Sequence, residues 1–319
     1  MFDKLSLIDD VRLNFSEGGL LYMNVTLAFI MFGVALDIKK ENFTDMVQNP
    51  KSALLGIFSQ IVLLPVLTFL LVIMLNPPPS IAMGMILIAA CPGGNISNFI
   101  SSLAKANVAL SVSLTAFSTL SATLVTPINF AFWGGMYVDF YEKAKHLNIP
   151  IQIDFLQMAQ TVFILLGIPL ILGMWVGHKF PAFVDKYRKK IKVASILLYM
   201  TFIIGALAAN ASFIDSIIIP LGIVVMLLNV QTLFTGYFTG TLFKVSRADR
   251  RTLAIETGIQ NSGLALVLIF NPKLFNANGG MAFMAAWWGI WQMVTGIGLA
   301  LILAKVRLPV LQEEKVKTE

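Results

Sequence analysis

Residues 81–98 read IAMGMILIAACPGGNISN. The first ten are an unbroken apolar run of the kind that crosses a membrane. The next eight hold a proline, two glycines, two asparagines and a serine. Breaking a helix in lipid frees backbone N–H and C=O groups, and each is destabilising by roughly several kcal/mol if left unpaired. Such a break survives only where protein buries it or where it lines a wet cavity. Residues 91–98 therefore mark a discontinuous membrane helix with a reason to be broken.

The rest of the chain agrees with a membrane setting. Of its 319 residues 57% are hydrophobic and 13% charged, with a mean hydropathy of +0.80. Soluble domains are about 45–50% apolar and about 25% charged. The fold class expected is an all-α polytopic membrane protein. One cysteine, Cys91, gives neither a disulfide framework nor a Cys-based metal site. The first ten residues lack the basic start and apolar run of a signal peptide, so the first span is expected to target the chain.

A helix needs about 20 apolar residues to cross a bilayer. Nine segments qualify, with approximate limits 19–37, 52–75, 80–104, 107–135, 155–177, 193–213, 216–243, 252–271 and 280–304, and residues 1–319 read as one membrane transport domain. With the N-terminus outside, the inner loops and tail hold 18 of the 23 lysines and arginines; five fall outside. That asymmetry is the positive-inside pattern. It explains the net charge of +6 without a nucleic-acid partner, and it predicts a multi-pass cell-membrane protein with a cytoplasmic C-terminus.

A second interruption lies in span eight, at Glu256-Thr257-Gly258-Ile259-Gln260-Asn261-Ser262-Gly263. Spans three and eight are each third in a set of four, roughly 19–135 and 193–304, and the two sets run in opposite directions. An inverted repeat with interrupted helices at matching positions is a transporter signature, and the breaks point at the binding site. Helix packing alone accounts for small residues, but not for the amides and the carboxylate.

Glu256 is the one acid of 17 that lies clearly within a span. A carboxylate at that depth needs a partner or a proton. With no histidine in any span, a bound cation or a proton supplies it most simply. The alternative is a side chain that runs to the inner surface, five residues past Arg251. Gln260 follows at i+4. Ser97 and Asn98 come from the other break, Ser111, Thr115, Ser118 and Thr119 from span four, and Gln60 from span two. One carboxylate among neutral oxygens suits a monovalent hard cation such as Na⁺; divalent ions want more carboxylates, and zinc wants His or Cys. Half-helix N-termini favour an anionic substrate nearby.

Three stretches, ACPGGNISN, NVALSVSLTAFSTL and IETGIQNSGLAL, resemble the bile acid:sodium symporter family, and the similarity runs from Ile30 onward over nearly the whole chain. The resemblance implies core and panel domains, two discontinuous helices that cross, and the nine-span form. It implies one sodium site at Ser97, Asn98, Ser111, Thr115 and Glu256. It implies a second at Gln60, Glu256 and Gln260 with the carbonyls of Thr257 and Ile259. Asn95, Asn261 and Gln292 are the expected substrate contacts; Asn95 and Gln292 depart from the residues of some relatives, which leaves the substrate open between bile acid-like and small carboxylate anions such as pantoate. The function expected is secondary active symport of an organic anion with Na⁺ as coupling ion, with no other cofactor and with membrane lipid and substrate as partners. The alternatives are a same-fold carrier coupled to protons or uncoupled, an arsenite-type exporter using Cys91, and a channel. An enzyme would need a nucleophile, base or metal centre at membrane depth, which the spans do not offer.

Overall fold

The computed structural model describes residues 3–9, 11–13, 17–36, 38, 44, 46–47, 50–94, 96–145, 154–209 and 211–305. Among these there is no β-strand beyond two isolated bridges. In lipid a helix satisfies its backbone within itself, so the apolar runs fold as helices. In chain order they are α1 (Asp3–Ser6), α2 (Glu17–Ala35), α3 (Pro50–Leu75), α4 (Pro79–Ala90), α5 (Ile96–Leu103), α6 (Val108–Lys145), α7 (Phe155–Lys179), α8 (Pro181–Ala209), α9 (Ala211–Leu242), α10 (Arg247–Gly258), α11 (Ser262–Phe270) and α12 (Gly279–Lys305). Six of them, α2, α3, α6, α7, α9 and α12, are long and apolar enough to cross a membrane. Large apolar side chains such as Leu124, Ile128 and Phe132 stand exposed on the outer face of α6, as a lipid-facing surface requires.

Spans three and eight are each split in two, α4–α5 and α10–α11. The fourth helix continues to Lys145, beyond the expected end at 135, and α8 starts at Pro181, so Lys186–Lys190 are helical and not in a loop. Apolar runs mark only the part of a helix in lipid, whereas i→i−4 pairing carries on into water. Asn95 and the tail 306–319 lie outside the described residues.

Two prolines shape α3 and α7. The turn Ser59–Leu63 of α3 is a π-turn two residues before Pro65, and Phe163–Gly167 of α7 is another two residues before Pro169. Proline has no N–H to give the carbonyl four residues back. At α3 that carbonyl belongs to Ile61, and Asn129 Nδ2 of α6 donates to it at 3.0 Å.

The helices form two groups. The unbroken α2 packs mainly on α7 and α8, while the broken helices are enclosed by α3, α6, α9 and α12. At one end of the second group Asp249 accepts from Ser52 of α3 (2.9 Å) and from Asn107 (2.8 Å), and Arg251 donates to Ala104 O (2.8 Å). At the other end a strap, residues 3–9 and 11–13, lies across the starts of α4 and α12. Leu5 and Ile8 are fully buried in it. Ser80 N donates to Asp9 Oδ1, Leu13 N to Ala277 O and Gly279 N to Val11 O, at 2.8–3.0 Å.

α9 and α10 pack in close contact. A Cβ on Gly236 would stand 2.0 Å from Leu253 O and 2.5 Å from Leu253 C, both backbone atoms that cannot rotate away. Gly135, in contrast, has nothing within 4 Å of where its Cβ would be. Gly236→Ala should therefore force the two helices apart and destabilise the protein by more than the ~1–3 kcal/mol usual for overpacking, read as a lowered melting temperature of purified protein. Gly135→Ala should leave the melting temperature unchanged or raise it slightly, for a gain of up to ~1 kcal/mol in helix propensity.

Candidate functional site

The two breaks meet in the middle of the second helix group. α4 stops at Ala90 because Pro92 disfavours helix at the residue before it; Cys91 is extended, with φ −72° and ψ 155°. α10 stops at Gly258, and Ile259 is extended at φ −122° and ψ 107°. The extended residues pair as an antiparallel bridge, Gly93 opposite Gln260. Gly94 N donates to Ile259 O and Asn261 N to Pro92 O, both at 2.8 Å. A Cβ on Gly94 would come within 3.0 Å of Gln260 O, so glycine permits the approach.

Side chains reach other backbone groups freed by the second break. Gln60 Nε2 donates to Glu256 O (2.8 Å), Gln260 Nε2 to Thr257 O (2.8 Å) and Asn229 Nδ2 to Gly258 O (3.4 Å). Gln292 of α12 engages Gln260 twice: its Oε1 accepts from Gln260 N at 2.9 Å, and its Nε2 donates to Gln260 O at 3.0 Å. Asn261 Oδ1 accepts from Leu264 N at 3.0 Å and caps α11. Ser59 Oγ and Thr257 Oγ1 are 2.9 Å apart.

Glu256 is fully buried two residues before the end of α10. It does not run to the surface. Two basic residues of its own helix are taken up elsewhere, Arg250 at Val245 O and Arg251 at Ala104 O. Its carboxylate is held by hydroxyls: Ser97 donates to Oε1 at 2.6 Å, Ser111 to the same oxygen, and Thr115 to Oε2 at 2.9 Å. Asn98 Oδ1 also lies 2.9 Å from Ser111 Oγ and 3.3 Å from Thr115 Oγ1. Ser97, Ser111 and Thr115 thus bring three protons to a cluster of six oxygens, since each hydroxyl has one to give.

Ser97, Asn98, Ser111, Thr115 and Glu256 therefore form one cluster, and Gln60, Thr257, Ile259, Gln260 and Gln292 surround the adjoining break. Asn261 stands at the start of α11, where its Nδ2 is 4.0 Å from Met31 Sδ of α2. Both amide atoms of Gln292 are committed to the backbone of Gln260. Ser59 and Asn229 were not anticipated. Asn229 stands alone in the apolar run IVVMLLNV, the kind of intramembrane polar residue that marks a buried partner.

Helices interrupted within the membrane and joined around a buried carboxylate make this chain a membrane transporter. It belongs to the Sodium Bile acid symporter family, whose sequence profile matches residues 24–217. It is similar to the uncharacterized sodium-dependent transporter YocS of Bacillus subtilis, 29% identical over 287 residues, 89% of this chain and 83% of that protein. It is 30% identical over 247 residues to the probable chloroplastic sodium/metabolite cotransporter BASS1 of Arabidopsis thaliana, 76% of this chain and 58% of that one. It is 28% identical over 263 residues to sodium/bile acid cotransporter 4 of Rattus norvegicus, 80% of this chain and 58% of that one.

Gln292→Leu leaves the buried N–H of Gln260 without its partner, while the C=O keeps the N–H of Ser262 at 3.0 Å. Such an unsatisfied group is destabilising by about 1–3 kcal/mol, so the variant should melt below wild type. An unchanged melting temperature would show that Gln292 does not hold the break.

Proposed function

We propose that the protein is a sodium-coupled symporter of an organic anion that works by alternating access across nine spans, with the N-terminus outside and the C-terminus in the cytoplasm. The observation that carries this reading is the Glu256 cluster. A buried negative charge stands among more oxygens than protons, which favours a small cation as the missing partner. The cluster comprises Ser97, Asn98, Ser111, Thr115 and Glu256, the proposed first sodium site. A hard cation held at about 2.3–2.6 Å has neighbouring oxygen ligands roughly 3.3–3.7 Å apart. The Ser97–Thr115 and Thr115–Asn98 oxygens are 3.3 Å apart, at the lower edge of that range. The donors that stand closer to the carboxylate would move outward as an ion enters.

The proposed second site uses Gln60, Glu256 and Gln260 with the carbonyls of Thr257 and Ile259. Gln60 and Gln260 now present amide nitrogens to carbonyls. To ligate sodium each amide turns over and offers its oxygen, with little change in shape. The substrate proposed is an organic anion, bile acid-like or a small carboxylate. Support comes from the half-helix starts at Ile96 and Ser262, whose N–H groups and dipoles favour negative charge. Asn95 and Asn261 adjoin those starts in sequence, and with Gln292, which would have to release Gln260, they are the proposed substrate contacts.

Glu256→Gln keeps the shape and removes the charge; it should abolish sodium-driven uptake while the protein still folds. Thr115→Ala should weaken the first site and leave some sodium bound at the second. Gln60→Ala and Gln260→Ala should raise the sodium concentration for half-maximal uptake and lower its cooperativity. Linkage requires sodium to strengthen substrate binding by the same factor that substrate strengthens sodium binding, typically about 5- to 150-fold. Bile salts and small carboxylates tested for binding in sodium and in choline would measure it. Equal affinity in the two salts for every ligand that binds overturns the coupling.

A further inference from the structure

Beside the Glu256 cluster lies a cavity of about 10 Å³, bounded by α3, the first break and α6. That is the space of roughly one water molecule. Its polar lining is Gln60, Ser118, Ser121, Thr126 and Asn129, with Cys91 at the break. Thr126 is fully buried, and its hydroxyl has no hydrogen-bond partner. Helical threonines elsewhere in the chain turn their hydroxyl back to the carbonyl four residues before: Thr119 to Thr115 at 2.6 Å, Thr235 to Gln231 and Thr239 to Thr235 at 2.7 Å, and Thr161 to Gln157 at 2.8 Å. Thr126 does not. A buried hydroxyl without a partner is unfavourable, and this one belongs to a cavity whose other walls carry polar atoms. Ser118 and Ser121 spend their protons on carbonyls and keep acceptor lone pairs.

The cavity adjoins the carboxylate across Gly93. A Cβ there would stand 3.1 Å from Gln60 Nε2, 3.3 Å from Glu256 Oε2 and 3.4 Å from Ser118 Oγ. Gly93 has no such atom, so Glu256, Gln60 and Ser118 face one another over a shared gap. Gln60 and Ser118 also line the cavity. From Ser111 the face of α6 runs through Thr115, Ser118 and Thr126 to Asn129, a polar stripe at helical spacing that leads away from the Asn107 end of the helix.

We propose that this cavity is a hydrated antechamber to the Glu256 cluster. It holds a water molecule bonded to Thr126 and its polar neighbours, and a monovalent cation exchanging with the cluster passes it while shedding or regaining hydration. The inference rests on the sodium-coupling reading and adds the route. Water bound by two to four polar groups is the usual filling of a polar site this size. An ion stripped of water meets its highest barrier where a replacement oxygen is missing, so the hydroxyl of Thr126 lowers the barrier without being a ligand of the bound state.

Sodium association and dissociation rates, followed by stopped-flow tryptophan fluorescence in purified wild type, Thr126→Val and Thr126→Ser, test this. Val matches the shape of Thr without the hydroxyl; Ser restores the hydroxyl. The valine variant should slow both rates by a similar factor of about 2- to 10-fold, as one lost hydrogen bond allows, and leave the equilibrium affinity nearly unchanged. The serine variant should keep wild-type rates. Wild-type rates in the valine variant overturn the antechamber, as does equal slowing by valine and serine, which would mean packing. Sodium that binds neither wild type nor variants overturns the coupling reading itself, and the antechamber with it.

Discussion

The structure depends on an exchange of backbone hydrogen bonds between two segments more than 160 residues apart. Gly94 gives its N–H to Ile259, and Asn261 gives its own to Pro92. Alone, either interruption would leave several peptide groups stranded in a medium that cannot hydrate them. Together each supplies what the other lacks. The requirement spreads outward: Gly94 has to be small, Gln292 has to hold Gln260, and Gln60 and Asn229 have to reach the carbonyls that remain. The polar residues of this membrane interior are first of all answers to a broken backbone.

The carboxylate follows from the same geometry. Glu256 sits in the last turn of α10, where the helix is about to stop and where α5 and α6 bring hydroxyls alongside. The break thus creates a place where side chains from four helices converge at depth. Those side chains are short, so their hydroxyls hold positions set by backbone and not by flexible stems.

Much of this was legible in the chain. Pro92, Gly93 and Gly94 against an apolar run announce a break, as Gly258 with Gln260 and Asn261 does. Ser111 and Thr115 share a helix face by spacing alone, and a single acid within a span is conspicuous. Other features left no mark. The partner of Gln292 is the backbone of Gln260, and a peptide group has no identity in a sequence, so that bond left no mark there. The π-turn at Ser59–Leu63 shows in the sequence only as Pro65, which many unbroken helices also carry. α6 and α8 run past the apolar stretches read as their spans, because hydropathy reports the surroundings of a helix and not its length.

The strap over α4 and α12 bears on how the molecule is made. Asp9 and Asn278, hydrogen-bonded through Asn278 Nδ2 and Asp9 O, are 269 residues apart. At a synthesis rate of about 5–20 residues per second, roughly 15–50 s separate their emergence from the ribosome. The segment can pack on α9 once that helix is made, but its hydrogen bonds to Ala277–Gly279 form only when that stretch arrives, after α2–α11. Leu5 and Ile8 lie buried in the segment that waits, so the strap is a clasp completed late on a piece made early.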